Sequence, residues 1–127
     1  MRRRITLTLT LLACALAVAP AAYASWRYAT QTVNGARTVS RSATTGCSVR
    51  THYSSLRLSC SVYGSARATY AFQLPSGVVG TPAVSAVPAI GPYTTSVKVV
   101  GSKAYATVKV TSGTYTLRSV NLVYYVK

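Results

Sequence analysis

The residues best placed for chemistry are one histidine and two arginines near the middle of the chain. His52, the only histidine, lies between Arg50 and Arg57. An imidazole can act as a general acid or base, and two guanidinium groups can stabilise the charge that develops on a phosphodiester. This set predicts, as the third of three functional hypotheses, a metal-free ribonuclease that uses His52. Two acid–base groups usually share that reaction, and only one is evident here.

The composition excludes most other catalytic chemistries. The chain has 14 Lys and Arg residues and no Asp or Glu, which excludes paired-acid glycosidases, Ser-His-Asp triads and carboxylate sites for calcium or magnesium. One histidine cannot form a zinc site with cysteines that we expect to be oxidised. Lysine-activated serines remain, at Ser96 with Lys98 and at Ser102 with Lys103, on adjacency alone. We therefore predict a protein that is not an enzyme and holds no metal or cofactor.

The N-terminal segment has the three parts of a secretory signal peptide. Arginines at 2–4 precede an apolar stretch over 5–19, and small residues occupy both positions that a signal peptidase reads, ending at Ala24. Cleavage there divides the chain into a signal peptide, 1–24, and one secreted all-β domain, 25–127. The uninterrupted apolar run is far short of the ~20 residues that a spanning helix needs. We therefore expect an extracellular or surface-associated protein with no transmembrane segment in the mature chain.

The cysteine count predicts a single disulfide. Cys14 leaves with the signal peptide, so Cys47 and Cys60 remain. Two cysteines in an oxidising compartment allow one intramolecular bond, and we expect it to form. Chain-entropy models assign about 3 kcal/mol to closing a loop of comparable length.

The charge predicts an anionic partner. Loss of the three leader arginines reduces the 14 cationic side chains to 11, and no side-chain carboxylate opposes them. Such a surface attracts polyanions through forces that weaken with salt. The leading hypothesis is a non-catalytic exported protein that binds a wall polymer, an anionic polysaccharide, nucleic acid or lipid headgroups. The alternative is that the charge only keeps the protein soluble.

The elements that must position these residues are strands. Almost every segment alternates polar and apolar residues and is bounded by Gly, Ser or Asn, and no stretch has a helical period. We predict a single antiparallel β-sandwich of about eight short strands, with a small β-barrel as the alternative. Asn34-Gly35 predicts a type I′ hairpin between residues 26–33 and 36–43.

Two hairpins in the C-terminal half are predicted to create a basic surface. A type II′ turn at Gly101-Ser102 pairs Val97 with Ala106, and a loop at 112–113 then pairs Val108 with Leu117. The second loop leads into one long final strand, 114–127. Its part Val120–Val126 is apolar on both faces and is either central in a sheet or pairs between molecules. The opposite face carries Lys98, Lys103, Tyr105, Lys109 and Arg118.

A second cationic cluster follows from pairing the two cysteines. That register puts Arg50 directly opposite Arg57, with His52 one step along, and a three-residue loop at 63–65 adds Arg67 to the same side. Like charges directly opposite destabilise a strand pair by a few tenths of a kcal/mol or more. We predict that Arg50, Arg57, His52 and Arg67 bind an anion, since guanidinium groups grip phosphate or sulfate bidentately. The alternative is that these side chains splay into solvent or stack on tyrosines.

The segment Leu74–Tyr93 differs from the rest because prolines and glycines punctuate an apolar run. Proline at these intervals suits an edge strand or a crossover between two sheets. The functional alternative is an exposed recognition ribbon, which makes the protein a small secreted inhibitor or toxin with a protein partner.

Overall fold

A computed structural model describes residues 26–127, and the signal peptide predicted for 1–24 lies outside the described residues. The described chain consists of strands joined by turns and short loops. The ten strands are β1 (Arg27–Asn34), β2 (Ser40–Ala43), β3 (Cys47–His52), β4 (Ser55–Cys60), β5 (Ala66–Gln73), β6 (Val78–Val87), β7 (Thr94–Val100), β8 (Lys103–Val110), β9 (Gly113–Leu117) and β10 (Ser119–Val126).

The strands form three antiparallel sheets. The terminal sheet has the order β1-β10-β6, the four-stranded sheet has the order β2-β5-β8-β7, and the cysteine sheet has the order β3-β4-β9. The all-β prediction is confirmed, with ten strands rather than about eight. Each sheet has two free edges, so no barrel closes within residues 26–127.

The three sheets make two layers around one core. Only Arg118 separates β9 from β10, so the cysteine and terminal sheets are joined along an almost continuous strand and form one layer. The four-stranded sheet is the other layer. Alternate residues of both layers point inward, as the polar–apolar alternation requires. The largest fully buried side chains are Tyr70, Leu56, Leu58, Leu117, Leu122, Val108, Val110 and Val120.

Two hairpins form as predicted. In the cysteine hairpin Cys47 pairs with Cys60, the disulfide joins them, and Arg50 lies opposite Arg57. At the other hairpin β7 and β8 pair around Gly101-Ser102, with Val97 opposite Ala106. Gly101 has φ +61°, the left-handed conformation that the first central position of a type II′ turn requires.

The prediction of a hairpin at Asn34-Gly35 is wrong, because β1 and β2 do not pair with each other. Strand β1 pairs with β10, and β2 pairs with β5. The chain still turns here, with the Arg37 amide donating a hydrogen bond to the Asn34 carbonyl oxygen at 3.1 Å. Gly35 does not have the positive φ that a type I′ turn requires, and its lack of a side chain serves close packing. A Cβ atom there would lie 2.1 Å from the carbonyl oxygen of Leu117. The buried Tyr70 hydroxyl donates a hydrogen bond to the Gly35 carbonyl oxygen at 2.7 Å. Burial raises the pKa of Tyr70 well above its usual range, an effect that the nearby Arg41 charge opposes.

The loops predicted at 63–65 and 112–113 also join strands that do not pair. β5 pairs with β2 and β8 instead of β4, and β9 pairs with β4 instead of β8. In both places the chain crosses from one layer to the other. The long final strand is divided at Arg118, and its second part, β10, is the central strand of the terminal sheet.

The segment Leu74–Tyr93 contains both an edge strand and a crossover between layers, the two structures that its prolines predict. Strand β6 is an edge strand that pairs only with β10, and residues 88–93 then cross to β7 in the other layer. Tyr93 stacks on the buried Tyr115, with ring centroids 4.4 Å apart. Burial beside Tyr93 raises the pKa of Tyr115 above its usual range. Gly91 is required here because a Cβ atom would lie 2.6 Å from the Tyr115 ring.

Candidate functional site

The outer side of the four-stranded sheet carries four cationic side chains. Strands β5 and β8 bury their even-numbered residues, so their odd-numbered residues face outward. Strand β7 adds its even-numbered residues to the same side through its pairing with β8. Strand β2 adds Ser40 and Ser42, which lie opposite Thr69 and Arg67. We call this surface the basic face, and it consists of Ser40, Ser42, Arg67, Thr69, Ala71, Gln73, Thr94, Ser96, Lys98, Val100, Lys103, Tyr105, Thr107 and Lys109.

At one end of the basic face two cations lie directly opposite each other. Arg67 lies opposite Lys109 across the β5–β8 pair, and Lys109 lies opposite Thr94 on β7. The Arg67 Nε atom donates a hydrogen bond to the Ser65 hydroxyl at 3.1 Å, which leaves the other guanidinium donors available. Lys109 and Thr94 also line a surface groove of about 290 Å³ with residues 91–93, 111 and 112. This pair of cations therefore adjoins a recess.

The middle of the basic face is a row of hydroxyl groups. Ser40, Thr69, Thr107 and Ser96 lie opposite one another in sequence across the four strands. The two threonine hydroxyls are 3.2 Å apart. Hydroxyl groups both donate and accept hydrogen bonds, so the row can bind anionic oxygens and sugar hydroxyls alike.

Cations flank this hydroxyl row on both sides. Beyond it Lys98 lies opposite Tyr105, and Lys103 follows at the end of β8. A strand rises about 3.4 Å per residue, so Lys103 and Lys109 are about 20 Å apart along β8. The basic face can therefore contact several repeating units of an extended ligand.

A second cationic surface lies on the cysteine sheet. Arg50 and Arg57 are opposite each other, exposed and directed outward, since Leu56 and Leu58 on either side of Arg57 are fully buried. Arg118 is exposed next to the inward-facing Leu117 and lies on the same outer side. We call Arg50, Arg57 and Arg118 the arginine face.

Arg67 and Arg118 do not lie in the cationic clusters predicted for them. Arg67 lies on the four-stranded sheet, opposite Lys109, and is therefore across the core from Arg50 and Arg57. Arg118 lies on the other layer, beyond β9, and is not part of the basic face. The predictions failed here because they rested on the pairings of β4 with β5 and of β8 with β9, neither of which forms.

The outer side of the terminal sheet has no cation among its outward residues. Tyr28 and Tyr125 are opposite each other there, with ring centroids 5.4 Å apart in an edge-to-face arrangement. They are 63% and 48% exposed. The remaining outward residues of the pair are threonine, asparagine, serine and valine, including Thr30 opposite Val123. We call this surface the uncharged face.

The predicted catalytic residues do not gather into an enclosed site. His52 is exposed at the tip of the cysteine hairpin, with its ring 4.9 Å from that of Tyr53, itself 89% exposed. The Ser102 hydroxyl accepts a hydrogen bond from the Gln73 side chain at 3.0 Å. Ser96 and Lys98 share the basic face, two positions apart on β7.

The segment Leu74–Tyr93 buries or partly buries its large apolar side chains, with the exception of Ile90. Leu74 and Ala86 belong to the core, and Val78 and Val84 pack against it. Ile90, at 91% exposed, is the large apolar side chain that the crossover presents to solvent. The contact with a protein partner predicted for this segment thus has one large exposed apolar side chain, Ile90, beside smaller exposed residues such as Ala89 and Pro92.

The described residues also bear on metals and membranes. Within residues 26–127, no three His, Cys, Asp or Glu side chains come together in a way that could hold a metal ion. That part of the chain also has no helix with the length and apolar character needed to cross a membrane.

The chain matches no protein-family model, no curated protein and no solved structure.

Proposed function

We propose that this protein is an exported, non-catalytic binder of a phosphorylated or sulfated polysaccharide, which lies along the basic face. The observation that carries the proposal is the segregation of charge between surfaces. Four cations flank a hydroxyl row on one outer face, while the outward residues of the uncharged face include none. The disulfide of the cysteine hairpin supports export, since such bonds persist in oxidising compartments.

This segregation argues against charge that serves only solubility. Solubilising charge is most useful where apolar and aromatic side chains are exposed. The uncharged face exposes Tyr28 and Tyr125, and none of the strand residues paired on that side is a cation. On the basic face, by contrast, Arg67 and Lys109 are placed opposite each other, a pairing that costs stability. An anionic ligand would offset that cost.

The side chains beside the cations favour a polysaccharide over single-stranded nucleic acid. Proteins that bind single strands usually stack successive bases on several aromatic rings. The basic face has one aromatic residue, the half-buried Tyr105. Its hydroxyl row matches the hydroxyl groups and anionic oxygens of a sulfated or phosphorylated sugar chain.

Salt-gradient elution from immobilised heparin tests the proposal. The variant Lys98→Gln/Lys103→Gln/Lys109→Gln removes three cations of the basic face. Each lost ionic contact should lower the log–log salt slope by about 1, so the triple variant should elute at much lower salt. The matched control Arg27→Gln/Arg37→Gln/Lys127→Gln removes three exposed cations elsewhere and should elute close to wild type.

Competition with soluble polymers then identifies the ligand class. Heparin and long-chain polyphosphate should displace the protein from the resin, and single-stranded DNA of equal charge should do so less well. Equal loss of retention in both triple variants would show that only net charge matters and would refute a dedicated face. Stronger competition by single-stranded DNA would move the proposal to nucleic acid.

The ribonuclease hypothesis requires a separate test. His52→Ala and wild type are compared in an RNA-cleavage assay, and an absence of cleavage by wild type ends that hypothesis. The open position of His52 at the hairpin tip gives it no support beyond its place beside Arg50 and Arg57.

A further inference from the structure

Two cationic surfaces lie on opposite sides of the sandwich. On β4, Arg57 alternates with the fully buried Leu56 and Leu58, so it points away from the core. On β5, Arg67 alternates with the fully buried Ala66 and Ala68, so it points away from the core on the other layer. The arginine face and the basic face therefore point in opposite directions.

The two surfaces are electrostatically independent. Packed sheets are about 10 Å apart, and long cationic side chains extend outward from both. The Debye length at physiological ionic strength is about 8 Å, so an anion bound on one face is largely screened from the other. Binding on one side thus neither consumes nor strongly weakens the charge on the other.

The arginine face has the features of an anion site. Arg50 and Arg57 form the kind of pair in which the residues exchange backbone hydrogen bonds, because the disulfide-linked pair three positions away is of the close type. Such pairs have Cα atoms about 5.5 Å apart, which allows two guanidinium groups to hold one sulfate or phosphate between them. Within residues 26–127, neither guanidinium has a side-chain hydrogen-bond partner. Thr116, opposite Arg57, adds a hydroxyl group.

We propose that the protein binds two polyanion chains at once, one on each face, and so cross-links them. This inference rests on the proposed function and adds to it the arginine face as a second, separate binding surface. A single extended chain on the basic face cannot reach the arginine face without turning round an edge of the sandwich. Two chains can occupy both faces without contact, and each bridge then benefits from the raised effective concentration of neighbouring chains.

A capture experiment tests cross-linking directly. Heparin is immobilised at low density, protein is bound to it, free protein is washed away, and fluorescent heparin is added. Wild type should capture the labelled chains. The variant Arg50→Gln/Arg57→Gln/Arg118→Gln should still bind the surface through the basic face but capture about tenfold less labelled heparin, because it has lost the second site.

Two controls make the result specific. The variant Arg27→Gln/Arg37→Gln/Lys127→Gln has the same net charge as the arginine-face variant and should capture as wild type does. The charge-conserving variant Arg50→Lys/Arg57→Lys/Arg118→Lys should capture less than wild type but more than the glutamine variant, because it keeps the charge and loses the guanidinium forks. Capture as low as that of the glutamine variant would contradict a role for charge on this face.

The outcomes separate this inference from the function on which it rests. Absence of binding to immobilised heparin would overturn the proposed function. Binding without capture, or equal capture by wild type and the arginine-face glutamine variant, would overturn cross-linking alone. Sedimentation of the free protein as a dimer at the assay concentration would also overturn it, because two copies would then supply the two surfaces.

Discussion

The two layers of the sandwich differ in continuity. The four-stranded sheet runs unbroken from β2 to β7, each strand in one register with its neighbours. The opposite layer is divided between the terminal and cysteine sheets. Gly35 and Ala36 bridge the division: the Gly35 amide donates to the Arg118 carbonyl oxygen at 2.9 Å, and the Ala36 amide donates to the Ser54 carbonyl oxygen at 3.1 Å.

This difference separates the contacts on which stability depends from the surface that we propose binds a ligand. The unbroken sheet provides a regular grid on which charges and hydroxyl groups can be aligned, and its backbone pairing does not depend on any one of those side chains. The divided layer depends on a few contacts at the place where its halves meet. We therefore expect single substitutions to alter stability most at the division and least on the basic face.

The largest expected effect is at Gly35. Gly35→Ala places a Cβ atom 2.1 Å from the Leu117 carbonyl oxygen, so the backbone must shift and the bridging hydrogen bonds weaken. Overpacking against backbone should lower the free energy of unfolding by about 3 kcal/mol or more. Urea denaturation followed by tyrosine fluorescence measures it. A loss as small as that of an exposed substitution would contradict the importance of this contact.

The next largest effect is expected at Tyr70, whose hydroxyl group donates a hydrogen bond to the Gly35 carbonyl oxygen. Tyr70→Phe removes a buried hydrogen bond and should cost about 1–2 kcal/mol at neutral pH. Because folding raises the pKa of Tyr70, the stability contributed by its neutral form is fully present below about pH 10 and is lost as pH rises further. The free energy of unfolding, measured from pH 8 to pH 12, should therefore fall less steeply in Tyr70→Phe than in wild type. Parallel curves would contradict burial of the hydroxyl in the neutral form.

A smaller effect is expected in the unbroken layer at Gly101. Gly101→Ala meets no atom within 4 Å but forces a residue with a side chain to adopt φ +61°. The cost should be about 1 kcal/mol, because a residue with a Cβ atom is disfavoured at the first central position of a type II′ turn. The matched variant Ser102→Ala, at the second central position where φ is not positive, should cost less. Thermal unfolding of both variants measures the difference. Equal losses in the two would mean that backbone strain is not the cause.

The smallest effect is expected to have the opposite sign. Lys109→Gln removes the repulsion between Arg67 and Lys109 and should raise the free energy of unfolding by a few tenths of a kcal/mol, more at low salt than at high salt. The same variant should bind heparin more weakly. A variant that is less stable and binds equally well would contradict the view that this pair is retained for a ligand.

Short-range pairings could be predicted from the sequence, and long-range pairings could not. The Gly101-Ser102 turn and the disulfide each fix a register between adjacent strands, and both registers are correct. Asn34-Gly35 has an equally strong turn signal, yet its flanking strands pair with β10 and β5 instead of each other. Every strand here alternates in the same way, so the pattern cannot tell one partner from another.

The error over Arg67 and Arg118 has the same origin. Both were correctly placed on outward sides, since that depends only on alternation within a strand. Assigning them to a shared surface required knowing which strands are neighbours, and that knowledge is absent from local sequence. The hydroxyl row was missed for this reason too, because its members come from four strands that are brought together only by the fold.

The cations of the basic face have no carboxylate neighbours, and this has a consequence for acid conditions. Acid unfolding in most proteins follows the protonation of side-chain carboxylates that stabilise the native state. This chain has none, while its lysines and arginines stay charged throughout the acid range. An acidified solution should therefore leave both the fold and its attraction for sulfate groups almost unchanged, at pH values where domains stabilised by carboxylates unfold.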